Sequence, residues 1–514
     1  MKKTRELLNI MPITILAGLL TGIVVSLYNI MMEHISKFSA TIYQFCGNNK
    51  IYILLLYFCL VVLYFVSYFL IYKCAPNAKG SGIPQSIALM KGLFSIKSLH
   101  AIVVVILVSA ISMLTGLALG NEGPSIFIGS LISIFVARAF KKNLFVERIL
   151  TTGGAGAGMA VAFNAPLSGI IFTIEEGSKK LSFTFLTSVI ILVLTANFTS
   201  MLILGDRVYF NFPFEYLPLS KYPYLLLIGL CAGVFGAIFN KLLLATKPFF
   251  LKMQTKKFNF NLLIPFLLAG VIGLFLFDAT GGGFATISKL FSDNLTLKMI
   301  AMVLVVRFLY TIICANSNMI GGLFVPMLCL GALLGGLLFG LIAKIDASLP
   351  KNLLILLTML GFFCAVTHSP LTTIALSVEL TRSANSLFPM FFVAYSAMII
   401  AKLLRTKPLY EELCLLLDHN KLNDVLNKDS IFEYTVCANS LIDGKKPEEI
   451  SLPNDINILY IIRNEVQYHA VTIKRIEPND KIYVEIISYD VEKSKNMMKL
   501  ITSNIREFDN SQQL

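Results

Sequence analysis

Apolar stretches long enough to cross a lipid bilayer recur along this chain, at residues 12–32, 51–73, 101–120, 185–206, 223–246, 260–279 and 386–404. A helix needs about 20 such residues to span the hydrocarbon layer, and helices or closed barrels alone satisfy the backbone there. Only 14% of the 514 residues are charged and 56% are hydrophobic, whereas soluble domains carry roughly 25% charged residues. The expectation is therefore an all-α polytopic membrane protein. Further apolar segments at 125–139, 153–163, 167–175, 353–366 and 371–380 are short and glycine-interrupted. Broken or half-length helices are tolerated at membrane depth only where protein or a water-filled cavity buries their ends, and transporters build midplane sites from them. The pattern points to a transporter or channel.

Three glycine-proline segments stand where such helices would begin: Gly80-Ser81-Gly82-Ile83-Pro84, Gly120-Asn121-Glu122-Gly123-Pro124 and Gly321-Gly322-Leu323-Phe324-Val325-Pro326. Proline at the first helical position followed by apolar residues marks a helix N-terminus. Buried helix N-termini present free N–H groups and partial positive charge, which suits an anion. The middle segment carries its own carboxylate, Glu122, where an anion would otherwise sit. An ionisable side chain inside a membrane is a functional candidate by default. The alternative is an acid that only complements the helix dipole. Arg307, midway along another apolar stretch, is expected to line a cavity or pair with an acid for the same reason.

Charge and cysteine usage narrow the class. Residues 419–514 hold 12 Lys/Arg against 15 Asp/Glu, while the rest of the chain holds 31 against 15. Part of that excess is positive-inside loop charge, as at Lys141-Lys142 and Lys179-Lys180, and the basic start Lys2, Lys3, Arg5 implies a retained first helix with a cytoplasmic N-terminus. A positive membrane portion favours anions at the pore mouths. No basic-aromatic patch suggests nucleic-acid binding. The nine cysteines are scattered without metal spacing and are read as packing residues, with no metal and no cofactor expected. Nothing resembles a nucleophile-base pair, so no enzymatic step is expected. Gly153-Gly154-Ala155-Gly156-Ala157-Gly158 lacks the lysine of a nucleotide loop and reads as close helix packing.

An internal repeat organises the apolar part. Pro124 and Gly129 recur as Pro326 and Gly331, an offset of 202; Asn164-Ala165-Pro166-Leu167-Ser168-Gly169-Ile170 is echoed by His368-Ser369-Pro370-Leu371-Thr372-Thr373-Ile374, an offset of 204. Each second block ends in an acid nine residues past its proline, Glu175 and Glu379. Two such halves mark a transporter with its site at their interface. His368 reads as a satisfied residue at a helix start.

With these motifs in order, the chain resembles the CLC chloride channel and transporter family across roughly residues 10–412. Ala279-Thr280-Gly281-Gly282-Gly283-Phe284 and Lys407-Pro408-Leu409-Tyr410 are also typical of it. The resemblance implies inverted repeats of tilted and broken helices and a homodimer with one pore per subunit, in the cell membrane. It implies that Ser81 and Tyr410 offer hydroxyls, and Leu323 and Phe324 backbone N–H groups, to a central anion. Neutral donors of this kind bind chloride without trapping it; the alternatives are a capping serine and an interfacial tyrosine. Replacement of that serine accompanies nitrate or fluoride preference in the family, so Ser81 implies chloride as the substrate. Glu122 would compete with chloride as a carboxylate and swing out once protonated. Asn121 stands where the family usually has arginine, so the working pH of the gate is expected to differ.

Within Ile174-Glu175-Glu176-Gly177, Glu176 matches the internal proton acceptor of the family's exchangers, where its channels generally carry a neutral residue. The implied function is chloride/proton exchange; the alternative is a passive voltage- or pH-gated chloride channel. A structural alternative is an acid pair neutralised by Lys179 or Lys180 about one turn on.

After Tyr410 the composition changes. Residues 413–430 read as a linker, and 431–514 as a small α+β domain with strands at 432–436, 457–463 and 481–487 and a helix at 491–505. This part resembles the TrkA-C (RCK-C) ligand-binding domain, through Ser440-Leu441-Ile442-Asp443-Gly444-Lys445 and Glu477-Pro478-Asn479-Asp480. The resemblance implies a cytoplasmic regulatory domain that dimerises and takes a small ligand such as cyclic di-AMP, or a domain that only supports dimerisation. A potassium-uptake role is disfavoured by the missing TVGYG-like filter.

Overall fold

The computed structural model describes residues 2–47, 49–92, 96–142, 144–177, 183–210, 217–253, 259–292, 294–346, 348–417, 431–450, 452, 456–463, 466–469, 473, 475–486 and 491–503. The chain divides into two compact units. One comprises residues 1–90, 96–140 and 149–414, the other 91–95, 141–148 and 415–514.

The larger unit is helical, and apart from the first residues of α6 and the last of α17 it holds α1 (Lys2–Cys46), α2 (Lys50–Phe69), α3 (Ile83–Met90), α4 (Ser98–Leu114), α5 (Glu122–Ala139), α6 (Leu144–Phe163), α7 (Pro166–Phe172), α8 (Phe183–Leu204), α9 (Pro223–Lys252), α10 (Phe260–Phe275), α11 (Phe284–Phe291), α12 (Leu297–Asn316), α13 (Phe324–Ile342), α14 (Lys351–Thr367), α15 (Pro370–Thr381), α16 (Leu387–Leu403) and α17 (Leu409–Leu415). Among the described residues, seven helical stretches are long and apolar enough to cross a membrane. They differ in part from the sequence expectation. Residues 101–120 and 260–279 give helices that stop at Leu114 and Phe275, because Gly116 and the 276–283 loop leave the helical path. Residues 386–404 give α16 (Leu387–Leu403), also shorter than a span, whereas α5, expected to be short, and α12 and α13 are long enough to cross.

The packing repeats after eight helices. α1 lies along α8 as α9 lies along α16; α4 and α5 pair as α12 and α13 do; α3 packs on α5 as α11 packs on α13. α7 packs directly on α15, joining the repeats. The direction of that joint is fixed by two carboxylates. Glu379, late in α15, accepts the N–H groups of Leu167 and Ser168 at the start of α7 (both 2.8 Å) and the Ser168 hydroxyl. Glu175, just past α7 in a π-helical turn (Thr173–Gly177), accepts the N–H groups of Leu371 (3.2 Å) and Thr372 (2.8 Å) at the start of α15. Each helix end thus meets the other helix's beginning. The two run antiparallel, so the repeats are inverted. Each acid also supplies the negative charge that a helix N-terminus favours.

Glycine sets the closest approaches. A Cβ at Gly154 would run into the Gly129 carbonyl, and one at Gly158 into that of Ser125, so the glycine run of α6 serves packing against α5. Arg307 is fully buried in α12, and no acid forms an ion pair with it among the described residues. Its guanidinium donates to the carbonyls of Thr280 (2.9 Å), Gly281 (2.8 Å) and Gly282 (2.6 Å), holding the glycine loop ahead of α11. Backbone dipoles stand in for a carboxylate. His368 ends α14 in the left-handed conformation (φ 61°), with its Nε2 at 3.2 Å from the Thr406 hydroxyl.

The smaller unit contains an antiparallel sheet of β1 (Ile431–Thr435), β2 (Ile456–Arg463), β3 (Val466–His469) and β4 (Lys481–Ile486), in the order β1-β4-β2-β3, with α18 (Val491–Thr502). β3 is a four-residue strand that the alternation pattern missed. Val436, Ile442, Ile461, Ile476, Ile482, Val484 and Met498 form its core. Buried Asp480 accepts from Arg463 at 2.8 and 2.7 Å and from the Glu477 N–H at 2.8 Å, which fixes the turn before β4. Linker residues 418–430 and the Lys179-Lys180 pair lie outside the described residues.

Candidate anion and proton site

The three glycine-proline segments converge. Gly120 and Gly322 exchange both backbone hydrogen bonds, at 2.7 and 2.6 Å, as an isolated antiparallel bridge between equivalent positions of the two repeats. The Gly321 N–H reaches the Gly80 carbonyl at 3.4 Å. Gly82 holds φ 90° and faces the Gly123 carbonyl, while a Cβ at Gly123 would strike the Ser81 carbonyl and the Gly322 Cα. No residue but glycine fits where backbones meet this closely.

Each segment opens a helix, with one difference from the expectation. The helices begin before their prolines, so Pro84 is the second residue of α3, and Pro124 and Pro326 are the third residues of α5 and α13. The first intrahelical bonds run from Ser86 to Gly82, from Ser125 to Asn121 and from Met327 to Leu323. The N–H groups ahead of them have no intrahelical acceptor, so other groups must meet them: the Gln85 side-chain oxygen accepts from Gly82 at 2.8 Å, and proline costs nothing within that first turn.

Glu122 is 1% exposed, at the first position of α5. Its carboxylate has no hydrogen bond of normal geometry, and it faces its own N–H and that of Val325 on the first turn of α13. The acid therefore occupies the kind of position an anion would take. Ser81 and Tyr410 are buried, and neither hydroxyl has a hydrogen-bond partner. Buried unpaired hydroxyls are costly and imply a ligand or water. Leu323 and Phe324 are each 1% exposed at the start of α13. Tyr410 lies within electrostatic reach of both Glu122 and Glu176.

Glu176 is half-buried in the π turn, where the Ser369 hydroxyl donates to it. Its neighbour Glu175 is committed to the N-terminus of α15. The two adjacent acids thus have separate roles.

Some residues of this region were not legible in the sequence. Val325 contributes the amide facing Glu122. Phe163 packs on Phe324 with ring centroids 5.0 Å apart, and Phe324 on Phe363 at 4.3 Å, walling the site with rings. Phe163 immediately precedes the Asn164-Ala165-Pro166 motif, the one signal that could have flagged it. Asn121 donates to the Asn29 side chain at 3.0 Å, tying α5 to α1 with a neutral contact.

Residues 63–402 match the family described as voltage gated chloride channel. The chain belongs to the CLC family. This CLC chain is 32% identical over 359 residues to a Vibrio cholerae protein named H(+)/Cl(-) exchange transporter ClcA, covering 68% of this chain and 76% of that one. Over 420 residues it is 31% identical to the protein of that name from Vibrio vulnificus, covering 79% and 89%. A slow cyanobacterial Cl-/H+ antiporter superposes with a TM-score of 0.75 at 24% identity, over 82% of this chain and 98% of that one. A eukaryotic CLC transporter does so with 0.65 at 19% identity, over 80% and 74%. These likenesses show the CLC transporter fold.

Proposed function

We propose that this chain is a secondary active transporter that exchanges chloride for protons across the membrane. One observation carries the reading: a buried carboxylate, Glu122, facing main-chain N–H groups at the meeting of three helix starts, with a second carboxylate, Glu176, within electrostatic reach of the same Tyr410. As a carboxylate, Glu122 excludes an anion from those N–H groups. Once protonated it loses that attraction, and chloride can take its place against Ser81, Tyr410 and the amides of Leu323 and Phe324. Each Glu122 cycle then moves one proton and admits an anion, which couples the two flows. Glu176 takes the proton up from the opposite side. The Vibrio relatives named as H(+)/Cl(-) exchange transporters support this reading over passive conduction.

The finer assignments belong to the same proposal. Residues 1–412 form the transport domain, 413–430 a linker, and 431–514 a cytoplasmic TrkA-C-like regulatory domain in a homodimeric protein. The resemblance of the C-terminal segment supports a small ligand such as cyclic di-AMP there; titration of the full-length protein with that nucleotide tests it.

The decisive experiment is the reversal potential of purified protein in liposomes under opposed chloride and proton gradients. For the wild type it should depend on both ions. Glu122→Gln and Glu176→Gln should leave a potential set by chloride alone. A wild-type potential that follows chloride alone at every pH would mean passive conduction.

A further inference from the structure

Beside the glycine-proline segments lies a group of side chains that the exchange site leaves unused. Lys247, near the end of α9, is part-buried and donates to the Asn318 side-chain oxygen at 3.2 Å. Lys79 lies close enough to Lys247 for the two charges to repel. Neither lysine has an ion-pair partner among the described residues; the pairs formed there involve other side chains. Asn318 is 6% exposed and holds φ 65°, with the Tyr72 hydroxyl beside its side-chain amide. Two neighbouring cations, neither paired with a carboxylate among the described residues, are the complement of an anion.

Their place in the chain gives the group its meaning. Lys79 directly precedes Gly80-Ser81, and Asn318 stands three residues before Gly321, whose N–H bonds the Gly80 carbonyl. The cluster is therefore built on the same two loops as the anion site. With the basic flank of α1 cytoplasmic, α1 runs outward and α2 returns, so Lys79 lies on the inner side. α8 runs outward and α9 returns, placing Lys247 there; α10 and α12 do the same for Asn318.

We propose that Lys79, Lys247 and Asn318 form an anion-recruiting site at the cytoplasmic mouth, which loads chloride onto the Ser81 segment. This rests on the exchange reading and adds to it the residues that set access from one side. Two lysines keep the local anion concentration high without gripping the ion, because their mutual repulsion is relieved whenever one arrives and restored when it moves on. The side chain of Asn318 holds the Lys247 ammonium in place.

The test uses membrane vesicles of defined orientation. In inverted vesicles, Lys247→Gln and Lys79→Gln should raise the chloride concentration for half-maximal uptake by about threefold each, the effect of one charge a few ångström from an ion in a solvated mouth. Lys247→Arg should restore it, and added inert salt should shrink the difference. In right-side-out vesicles the same variants should match the wild type. Unchanged dependence in inverted vesicles, or an equal change in both orientations, overturns the proposal. A wild type without proton-coupled flux would instead overturn the exchange reading. In that event, chloride titration calorimetry on detergent-purified protein still decides: affinity unaltered by Lys247→Gln overturns the recruiting site.

Discussion

The reciprocal carboxylates between α7 and α15 lend themselves to a quantitative prediction. Glu379→Gln keeps the shape of the side chain but removes its charge, and one of its two acceptor oxygens becomes an N–H₂ facing a donor. The wild-type acid accepts from Leu167 N–H, Ser168 N–H and the Ser168 hydroxyl. Hydrogen bonds to charged groups contribute about 1.5–3 kcal/mol, and a charge at a helix N-terminus about 0.3–1 kcal/mol when exposed. Because Glu379 is only half-buried, water replaces part of the loss, and the cost should be about 2 kcal/mol. At about 2.1 cal/mol/K per residue, unfolding of a unit this size responds by roughly 1 °C per kcal/mol, so the apparent melting temperature should fall about 2 °C. Glu175→Gln should cost slightly less, having no hydroxyl donor. The two clasps stand at opposite ends of helices about 10–18 Å long, so the double variant should fall by the sum. The chain has no tryptophan and nine cysteines, several of them buried, so a thiol-reactive dye in detergent reads the melt directly. Glu33→Gln, which breaks an exposed pair with Lys37 and Arg207, is the control and should shift little. A Glu379→Gln protein that melts no lower than this control refutes the clasp.

Other outcomes follow from the same structure. Arg307→Met leaves three loop carbonyls without their donor in a dry interior; it should lower the melt further than Glu379→Gln, by about 3 kcal/mol or more in stability, and an equal or smaller drop argues against the carbonyl cage. Gly123→Ala pushes a methyl into the Ser81 carbonyl and the Gly322 Cα; chloride efflux should drop about tenfold or more, since 1.4 kcal/mol of misfit suffices, while the protein still purifies as a folded species. Outside the membrane-spanning segments, the Lys221 ammonium, helped by Ser348, holds the Asp346 carboxyl down at about 2. A depressed folded-state value stabilises above the ordinary carboxylate range and is lost as pH falls toward 2. The melting difference between wild type and Lys221→Met should therefore stay flat from about pH 5 to 8 and shrink below about pH 4; a difference that grows in acid contradicts this assignment.

Much of the fold was legible because membrane burial writes long, uniform signals. The apolar runs and the proline-glycine offsets near 202–204 announced a duplicated helical transporter. Less legible was anything decided by contacts across the repeat. Glu175 and Glu379 stood out as matching acids, but nothing in local spacing shows that both accept from backbone N–H groups about 200 residues away. Arg307 misled in the same way, since backbone carbonyls carry no sequence signature. Helix ends at Leu114 and Phe275 were lost in hydropathy, which does not see a glycine turning the backbone. In the site, the motif residues were visible, while Val325 and Phe163 matter through a main-chain N–H and a ring face that only three-dimensional packing assigns.

The clasps have one more consequence. Each half of the chain carries both an acid that caps and a helix start that needs capping, yet neither half can close the contact on itself. A half-length chain is therefore self-complementary: two copies of the first repeat, placed antiparallel, could satisfy Leu167, Ser168 and Glu175 of each against the other. The Gly120–Gly322 bridge obeys the same rule, pairing one glycine position with its own counterpart. Within a single polypeptide, the contact that two identical halves could make is an internal one. The two copies also differ in what they bring to the site: the first carries Glu122 and Glu176, the second the amides of α13, the Ser369 hydroxyl and Tyr410.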